Sequence, residues 1–83
     1  MRTTVIHDLK SQPPFFEEIL ARHKTFEIRI NDRDFKVGDM LRLKEWDPRT
    51  GEFTGRVVVC NVFYVSDAYL PEGWIAMSIG EPF

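Results

Sequence analysis

The chain has 83 residues, of which 43% are hydrophobic and 29% charged, and its net charge is −2. This composition is typical of one small folded domain, and it excludes a protein that coats nucleic acid through bulk positive charge. No stretch approaches the roughly 20 apolar residues that span a membrane, and the N-terminus shows no signal peptide. We therefore expect a single cytoplasmic domain over residues 1–83 with no membrane partner.

The N-terminal part of the sequence predicts a strand followed by a helix. The β-branched and apolar residues of "TTVIHDL" predict a strand over residues 3–8. In "SQPPFFEEILARHK", Ser11 is a candidate N-cap, the prolines suit a helix entry, and the apolar residues recur at helical spacing. These features predict a helix over about residues 13–22.

The remainder predicts strands separated by turns. "TFEIRI" alternates, so its apolar side chains share one face and Thr25, Glu27 and Arg29 share the other. "MLRLKEW" and "WIAMSI" also read as strands, and "RVVVCNVFYV" is apolar on both faces, which predicts a central or strongly bent strand. Closing such a sheet removes its exposed edges. We predict a mostly β, α+β fold, a small β-barrel of about five strands with one N-terminal helix packed against it.

The ionisable residues are unevenly distributed. Residues 1–44 carry nine Lys/Arg against seven Asp/Glu, whereas residues 45–83 carry two against six. An anion-binding site is therefore expected to be local and in the first half. Cys60 is the only cysteine and lies in an apolar run, so it is expected to be a buried hydrophobe. Neither histidine is at metal-binding spacing with it, and we predict no metal and no cofactor.

Three segments carry a resemblance to a known family. "HDLK", "PPFF" and "HKTFEIRINDRDFKVGDMLRLKEWDPRTGEFTG" resemble the DUF3850 branch of the ASCH superfamily, and the likeness runs from His7 to about Met77. The ASCH signature, approximately G-x-K-x-x-E-x-R, is matched by Lys24, Glu27 and Arg29. Arg22 departs from it, since it stands where the signature has glycine. The resemblance implies a PUA-like β-barrel from a bacterial or phage source.

The same resemblance implies a cleft that binds RNA or a nucleotide-like ligand. An arginine fork suits phosphate or a base edge, and a carboxylate accepts a hydrogen bond from an exocyclic amine. The predicted ligand-binding residues belong to the signature, its strand, the loop that follows and the first strand: Lys24, Thr25, Glu27, Arg29, Asn31, Arg33 and His7. The alternative is an ion-pair lattice on a solvated strand face. Phe35 is either a stacking platform or a plug of the barrel end. Trp74 is expected in the core or across a barrel mouth, and Tyr69, in a polar loop before Pro71, is the best candidate for an exposed stacking residue.

Whether the protein is an enzyme stays open on the sequence. A related small ASCH protein hydrolyses N4-acetylcytidine with a lysine, a threonine three residues later and a more distant glutamate. This sequence keeps the lysine as Lys24 but has Glu27 at the threonine position, and Glu72 stands just before the last strand. The second hypothesis is thus an amidohydrolase of acylated cytidines with Lys24 and Glu27 as catalytic residues. A third is a protein partner that contacts the acidic second half.

Overall fold

The computed structural model describes residues 3–83, which form five strands and one helix. In chain order these elements are β1 Ile6–Ser11, α1 Phe15–Leu20, β2 Phe26–Ile30, β3 Met40–Asp47, β4 Glu52–Ser66 and β5 Trp74–Ile79. The predicted mostly β fold with five strands and one N-terminal helix is confirmed. In the described part of the chain, no helix has the length and apolar character needed to cross a bilayer.

The strands form a single hydrogen-bonded sheet in the order β1-β3-β4-β5-β2. β1 runs parallel to β3, and the other neighbouring pairs are antiparallel. β4 is the central strand, as predicted, because it pairs with β3 through its first part and with β5 through its last part. β1 and β2 lie at the two ends of this order. Within residues 3–83 the sheet is therefore open in its backbone pairing, and the predicted barrel closure is not shown.

The first strand and the helix differ from their predicted bounds. Ser11 is the last residue of β1, where it pairs with Glu45 of β3, so its predicted role as a helix N-cap is wrong. Pro14 occupies the N-cap position without a side-chain cap, and the N–H of Phe15 donates to the carbonyl of Gln12 at 2.8 Å. The helix ends at Leu20. It is shorter than predicted because the chain turns away immediately after it.

The turn after the helix contains a residue in an unfavourable backbone conformation. Arg22 has a φ of 64°. The left-handed region costs a residue with a Cβ about 1–2 kcal/mol, and glycine does not pay it. A glycine at this position, as in the signature that the sequence resembles, would not bear this cost. The ion pair of Arg22 with Glu81, at 3.6 Å, is exposed and contributes about 0–1 kcal/mol.

We predict that Arg22→Gly raises the free energy of unfolding by about 0.5–1 kcal/mol. The reason is that relief of the backbone strain in the folded state outweighs both the added entropy of the unfolded chain and the loss of the ion pair. Urea denaturation measures this. Arg22→Ala is the control, since it removes the same ion pair but keeps the Cβ, and it should give no gain. A lower stability of Arg22→Gly than of Arg22→Ala would contradict the prediction.

The core lies between the helix and the sheet. It is formed by apolar side chains from every element except β2 and from the loop before β3: Leu9, Phe16, Ile19, Phe35, Leu41, Leu43, Cys60, Val62, Ile75, Met77 and Ile79. The burial of Cys60 confirms its prediction as a small hydrophobe. Phe35 is buried, so of its two predicted roles the plug is the one that the structure shows.

A polar pair is enclosed in this core. Asp39 is fully buried, and its Oδ2 lies 2.9 Å from Nε2 of His7, which is also buried. The same oxygen accepts a hydrogen bond from the backbone N–H of Lys36 at 3.1 Å. The imidazole packs against the Phe35 ring with centroids 4.6 Å apart. The pair therefore joins β1 to the turn that leads into β3.

Candidate functional site

A cleft of about 650 Å³ opens between the end strands β1 and β2. Its walls come from the end of β1, the start of α1, the whole of β2 with its flanking residues, and the start of β5. The lining residues are Leu9, Lys10, Ser11, Gln12, Phe15, Lys24, Phe26, Glu27, Ile28, Arg29, Ile30, Asp32, Arg33 and Trp74. The open seam of the sheet is thus the place where a ligand can enter.

Three ionisable side chains of the signature converge in this cleft. Glu27 is only 4% exposed, and both of its carboxylate oxygens are bound. Lys24 Nζ donates to Oε1 at 2.6 Å, and Arg29 Nε donates to Oε2 at 2.9 Å. A buried carboxylate requires such partners, because an unpaired charge in the interior is strongly unfavourable. The alternative of an ion-pair lattice on a solvated face does not fit a carboxylate with this burial.

Two arginines, Arg29 of β2 and Arg33 of the loop that follows β2, reach across the seam to β1. Arg29 Nη2 donates to the carbonyl oxygen of Lys10 at 2.6 Å, and Arg33 Nη1 donates to the carbonyl oxygen of Asp8. Asp8 and Lys10 lie two residues apart in β1, so their carbonyl groups point to the same edge of the strand. The guanidinium groups satisfy acceptors that an end strand would leave unpaired. Side chains thereby connect the two strands that backbone hydrogen bonds do not.

One side of the cleft is apolar and partly open to solvent. We call the residues Phe15, Phe26, Ile28, Ile30 and Trp74 the apolar wall. Phe15, Phe26 and Trp74 are 51%, 45% and 39% exposed. Lys24 Nζ lies 5.3 Å from the Phe15 ring centroid and 5.4 Å from that of Phe26, within range of cation–π attraction. Because β2 is an end strand, side chains from both of its faces reach the cleft.

The cleft carries more positive than negative charge. Lys24, Arg29 and Arg33 face it together with Glu27 and Asp32. Lys10 also lines it, but its ammonium lies 3.9 Å from the centroid of the Trp46 ring and is held there. Three cations against two carboxylates give a local excess of positive charge in a chain whose net charge is −2. This excess favours an anionic ligand.

The predicted site residues divide into two groups. Lys24, Glu27, Arg29 and Arg33 all line the cleft. The other three lie outside its lining and have structural partners. The Thr25 carbonyl accepts a hydrogen bond from Ile79, Asn31 Oδ1 accepts one from the N–H of Phe35, and His7 is buried against Asp39. The positions of these three residues therefore do not support the predicted role in ligand binding.

Sequence reasoning missed the aromatic part of the site. Trp74 was expected in the core or across a barrel mouth, and Phe15 and Phe26 were assigned to no site. Tyr69, the preferred candidate for an exposed stacking residue, is fully exposed but lies outside the cleft lining. The useful signal lies in β2 and just before it, where the acid of the signature, Glu27, stands between the two bases Lys24 and Arg29. If the acid is the buried residue of that strand, its apolar neighbours must face outward.

Ser11 has an unusual position at the cleft. Its side chain is buried against the lining, and its Oγ has no hydrogen-bond partner among residues 3–83. A buried hydroxyl without a partner costs about 1–3 kcal/mol. We predict that Ser11→Ala leaves the free energy of unfolding unchanged or raises it by up to about 1 kcal/mol, as measured by urea denaturation.

The matched control for this substitution is Ser66→Ala. Ser66 Oγ accepts a hydrogen bond from the N–H of Ala68 at 3.1 Å, so its removal should lower the free energy of unfolding by about 0.5–1 kcal/mol. A larger loss for Ser11→Ala than for Ser66→Ala would show that the Ser11 hydroxyl is hydrogen-bonded in the folded protein.

Cys60 lies behind the cleft. Burial, followed by the negative charge of Glu27, raises the pKa of the Cys60 thiol to about 11. Because only the thiolate reacts, about one molecule in a thousand is reactive at pH 8 when the pKa is about 11. We predict that native protein is not modified by a thiol reagent at pH 8 on a timescale that modifies urea-unfolded protein completely. Equal modification rates in the two states would contradict this.

Comparison with known proteins identifies relatives. Residues 6–79 match the family described as "Domain of unknown function (DUF3850)". The chain is also similar to an uncharacterized 12.9 kDa protein in the GpA 3′ region of Escherichia phage P2, with 39% identity over 62 residues. That alignment covers 75% of this chain and 55% of the phage protein. The chain thus spans about half the length of this relative, which fits the expected bacterial or phage source.

Proposed function

The chain belongs to the DUF3850 family, and we propose that it is a PUA-like module of the ASCH superfamily that binds RNA or a nucleotide in the cleft between β1 and β2. The match covers residues 6–79, which include every element of the sheet. The bridges from Arg29 and Arg33 to β1 support the barrel-like closure, because they join the end strands through side chains. The relatives have no described activity to transfer, so the proposal depends on the cleft itself.

The observation that carries the proposal is the cluster of Lys24, Glu27 and Arg29. A buried carboxylate holds an ammonium and a guanidinium at 2.6 Å and 2.9 Å beside a cleft with excess positive charge. Cations fixed in this way bind an anion without first losing side-chain freedom, and that lowers the entropic cost of binding. The geometry suits a phosphate or a polarised carbonyl oxygen.

The roles within the cluster follow from its contacts. Arg29 has one guanidinium nitrogen on Glu27 and another on the Lys10 carbonyl, and exchange of the latter contact for a phosphate oxygen keeps the first. Arg33 can make the same exchange at the Asp8 carbonyl. Both Glu27 oxygens already accept a hydrogen bond, from Lys24 and from Arg29, and the carboxylate is almost completely buried, so in this proposal Glu27 acts first as a positioning residue for the two cations.

Fluorescence anisotropy of labelled single-stranded RNA, titrated with protein at several salt concentrations, tests the proposal. The logarithm of the binding constant should fall linearly with the logarithm of salt concentration. Three neutralised phosphates on a single strand give a slope of about −2. Absence of binding to RNA and to mononucleotides at the lowest salt concentration would end the proposal.

The contact between Lys24 and Glu27 also favours a second candidate, an amidohydrolase of acylated cytidines. An ammonium 2.6 Å from a carboxylate is a proton donor and acceptor pair, and here it lies beside a cleft. The same ion pair engages Lys24 Nζ, however, and a nucleophilic lysine would have to leave it. Glu72 is exposed and lies outside the cleft lining, so it does not supply the distant glutamate.

Incubation with N4-acetylcytidine, with chromatographic detection of cytidine and acetate, tests the second candidate. The enzyme hypothesis requires turnover by the native chain and its loss in Lys24→Ala. Binding of the nucleoside without release of acetate would leave the binding module as the remaining function of the site.

A further inference from the structure

We infer that the apolar wall is a stacking surface for unpaired bases, so that the ligand of the cleft is single-stranded nucleic acid and not a duplex. The inference rests on the proposed function and adds the class of nucleic acid. It starts from the exposure of three aromatic rings, Phe15, Phe26 and Trp74, along one cleft. In a small domain such rings are expected in the core. Other aromatic rings of the chain are exposed too, but these three are the exposed ones that line the cleft beside its cations.

The alternation of β2 separates apolar from charged side chains. Phe26, Ile28 and Ile30 point to one face of the strand, and Glu27 and Arg29 point to the other. In the antiparallel pairing of β2 with β5, Ile30 lies opposite Trp74, which places the indole on the face of the isoleucines. One strand therefore presents an apolar face for bases and a cationic face for phosphates, as the chemistry of a nucleic-acid strand requires.

Lys24 connects these two faces. Its ammonium is bound to Glu27 and also lies between the rings of Phe15 and Phe26. A base stacked on either ring would have its phosphate near a fixed cation. A second copy of this chain or an apolar peptide would bury this partly exposed ammonium against apolar surface, which is unfavourable. The local excess of positive charge likewise favours a polyanion over another copy of an acidic chain.

Stacking distinguishes single strands from duplexes. In a duplex each base is stacked on its neighbours, so its flat surface does not reach a protein aromatic ring. Unpaired bases expose that surface, and single-strand-binding proteins combine aromatic platforms with a cationic groove. A cleft that only recognised phosphate would have no use for three exposed rings beside its cations.

The test compares single-stranded RNA, single-stranded DNA and an RNA duplex of the same length against wild type, Phe26→Leu and Trp74→Leu. Leucine keeps the wall apolar but removes the flat ring. Each substitution should weaken single-strand binding about five- to fiftyfold and leave the salt slope unchanged, because phosphate contacts remain. Duplex should bind more weakly than single strands to wild type. The two single-strand arms show whether the sugar contributes.

Tyr69→Leu is the matched control, since Tyr69 is fully exposed and lies outside the cleft lining, and it should bind as wild type does. Circular dichroism melting verifies that all variants fold. If wild type binds no nucleic acid, the proposed function fails. If wild type binds but the leucine variants bind equally well, or the duplex binds as tightly as single strands, only the stacking inference is overturned. Self-association that depends on the rings would overturn it also, in favour of a second copy.

Discussion

Asp39→Ala is expected to lower the free energy of unfolding by about 3 kcal/mol. Asp39 is completely buried, and its Oδ2 binds the imidazole of His7 and the backbone N–H of Lys36. Alanine would leave the buried imidazole of His7 without this acceptor, so that it keeps its desolvation cost, and it would also remove the acceptor of the partly buried Lys36 N–H. A domain of this length has a total stability of about 4–12 kcal/mol. Urea denaturation followed by tryptophan fluorescence should therefore show a large shift of the midpoint.

Two further substitutions separate this effect from general sensitivity. Asp39→Asn keeps an acceptor oxygen and the side-chain shape, so it should cost about 1–2 kcal/mol. Asp32→Ala removes an exposed aspartate from the same loop, and its change should lie within about 0.5 kcal/mol. Equal stabilities of Asp39→Ala and Asp32→Ala would show that the buried pair does not hold β1 to β3.

Arg29→Ala is expected to weaken binding of single-stranded RNA at least about tenfold and to reduce the salt slope by about 0.7. The substitution removes the guanidinium that Glu27 positions and that reaches the edge of β1. It deletes both the proposed phosphate contact and a bridge across the seam. Anisotropy titrations at matched salt concentrations measure the affinity and the slope.

The controls for Arg29→Ala concern charge and geometry. Arg49→Ala removes the same charge from an exposed pair with Asp47 outside the cleft, and it should change neither affinity nor slope by a comparable amount. Arg29→Lys keeps the charge but not the planar fork, so its affinity should be intermediate. Equal losses for Arg29→Ala and Arg49→Ala would assign binding to net charge instead of to the cleft.

Elements with simple alternation could be predicted from the sequence. Leu41 and Leu43 are buried, whereas Arg42 between them faces outward, as the alternating pattern of β3 predicts. β1 was predicted to start three residues early, because His7 and Ser11 occupy two of its buried positions and hide the alternation. Only pairing with β3, which is distant in the sequence, shows that these polar residues face inward.

The site could be predicted in part. The signature indicated Lys24, Glu27 and Arg29, and the structure brings these three together. The sequence could not show which face of β2 is the inner one, because the buried residue of that strand is the acid and the exposed ones are apolar. Local pattern favours the opposite arrangement. The two cations that neutralise Glu27 decide the orientation, and their contacts require three-dimensional placement.

The most direct test of the account is a nuclear magnetic resonance titration of ¹⁵N-labelled protein with a short single-stranded RNA. The account predicts that the largest shift changes occur at the backbone amides of residues 24–30, at the end of β1 and at the Trp74 indole, which together line the cleft. Changes confined to the β3–β4 hairpin around Pro48, or no changes at saturating RNA, would contradict a nucleic-acid site between β1 and β2.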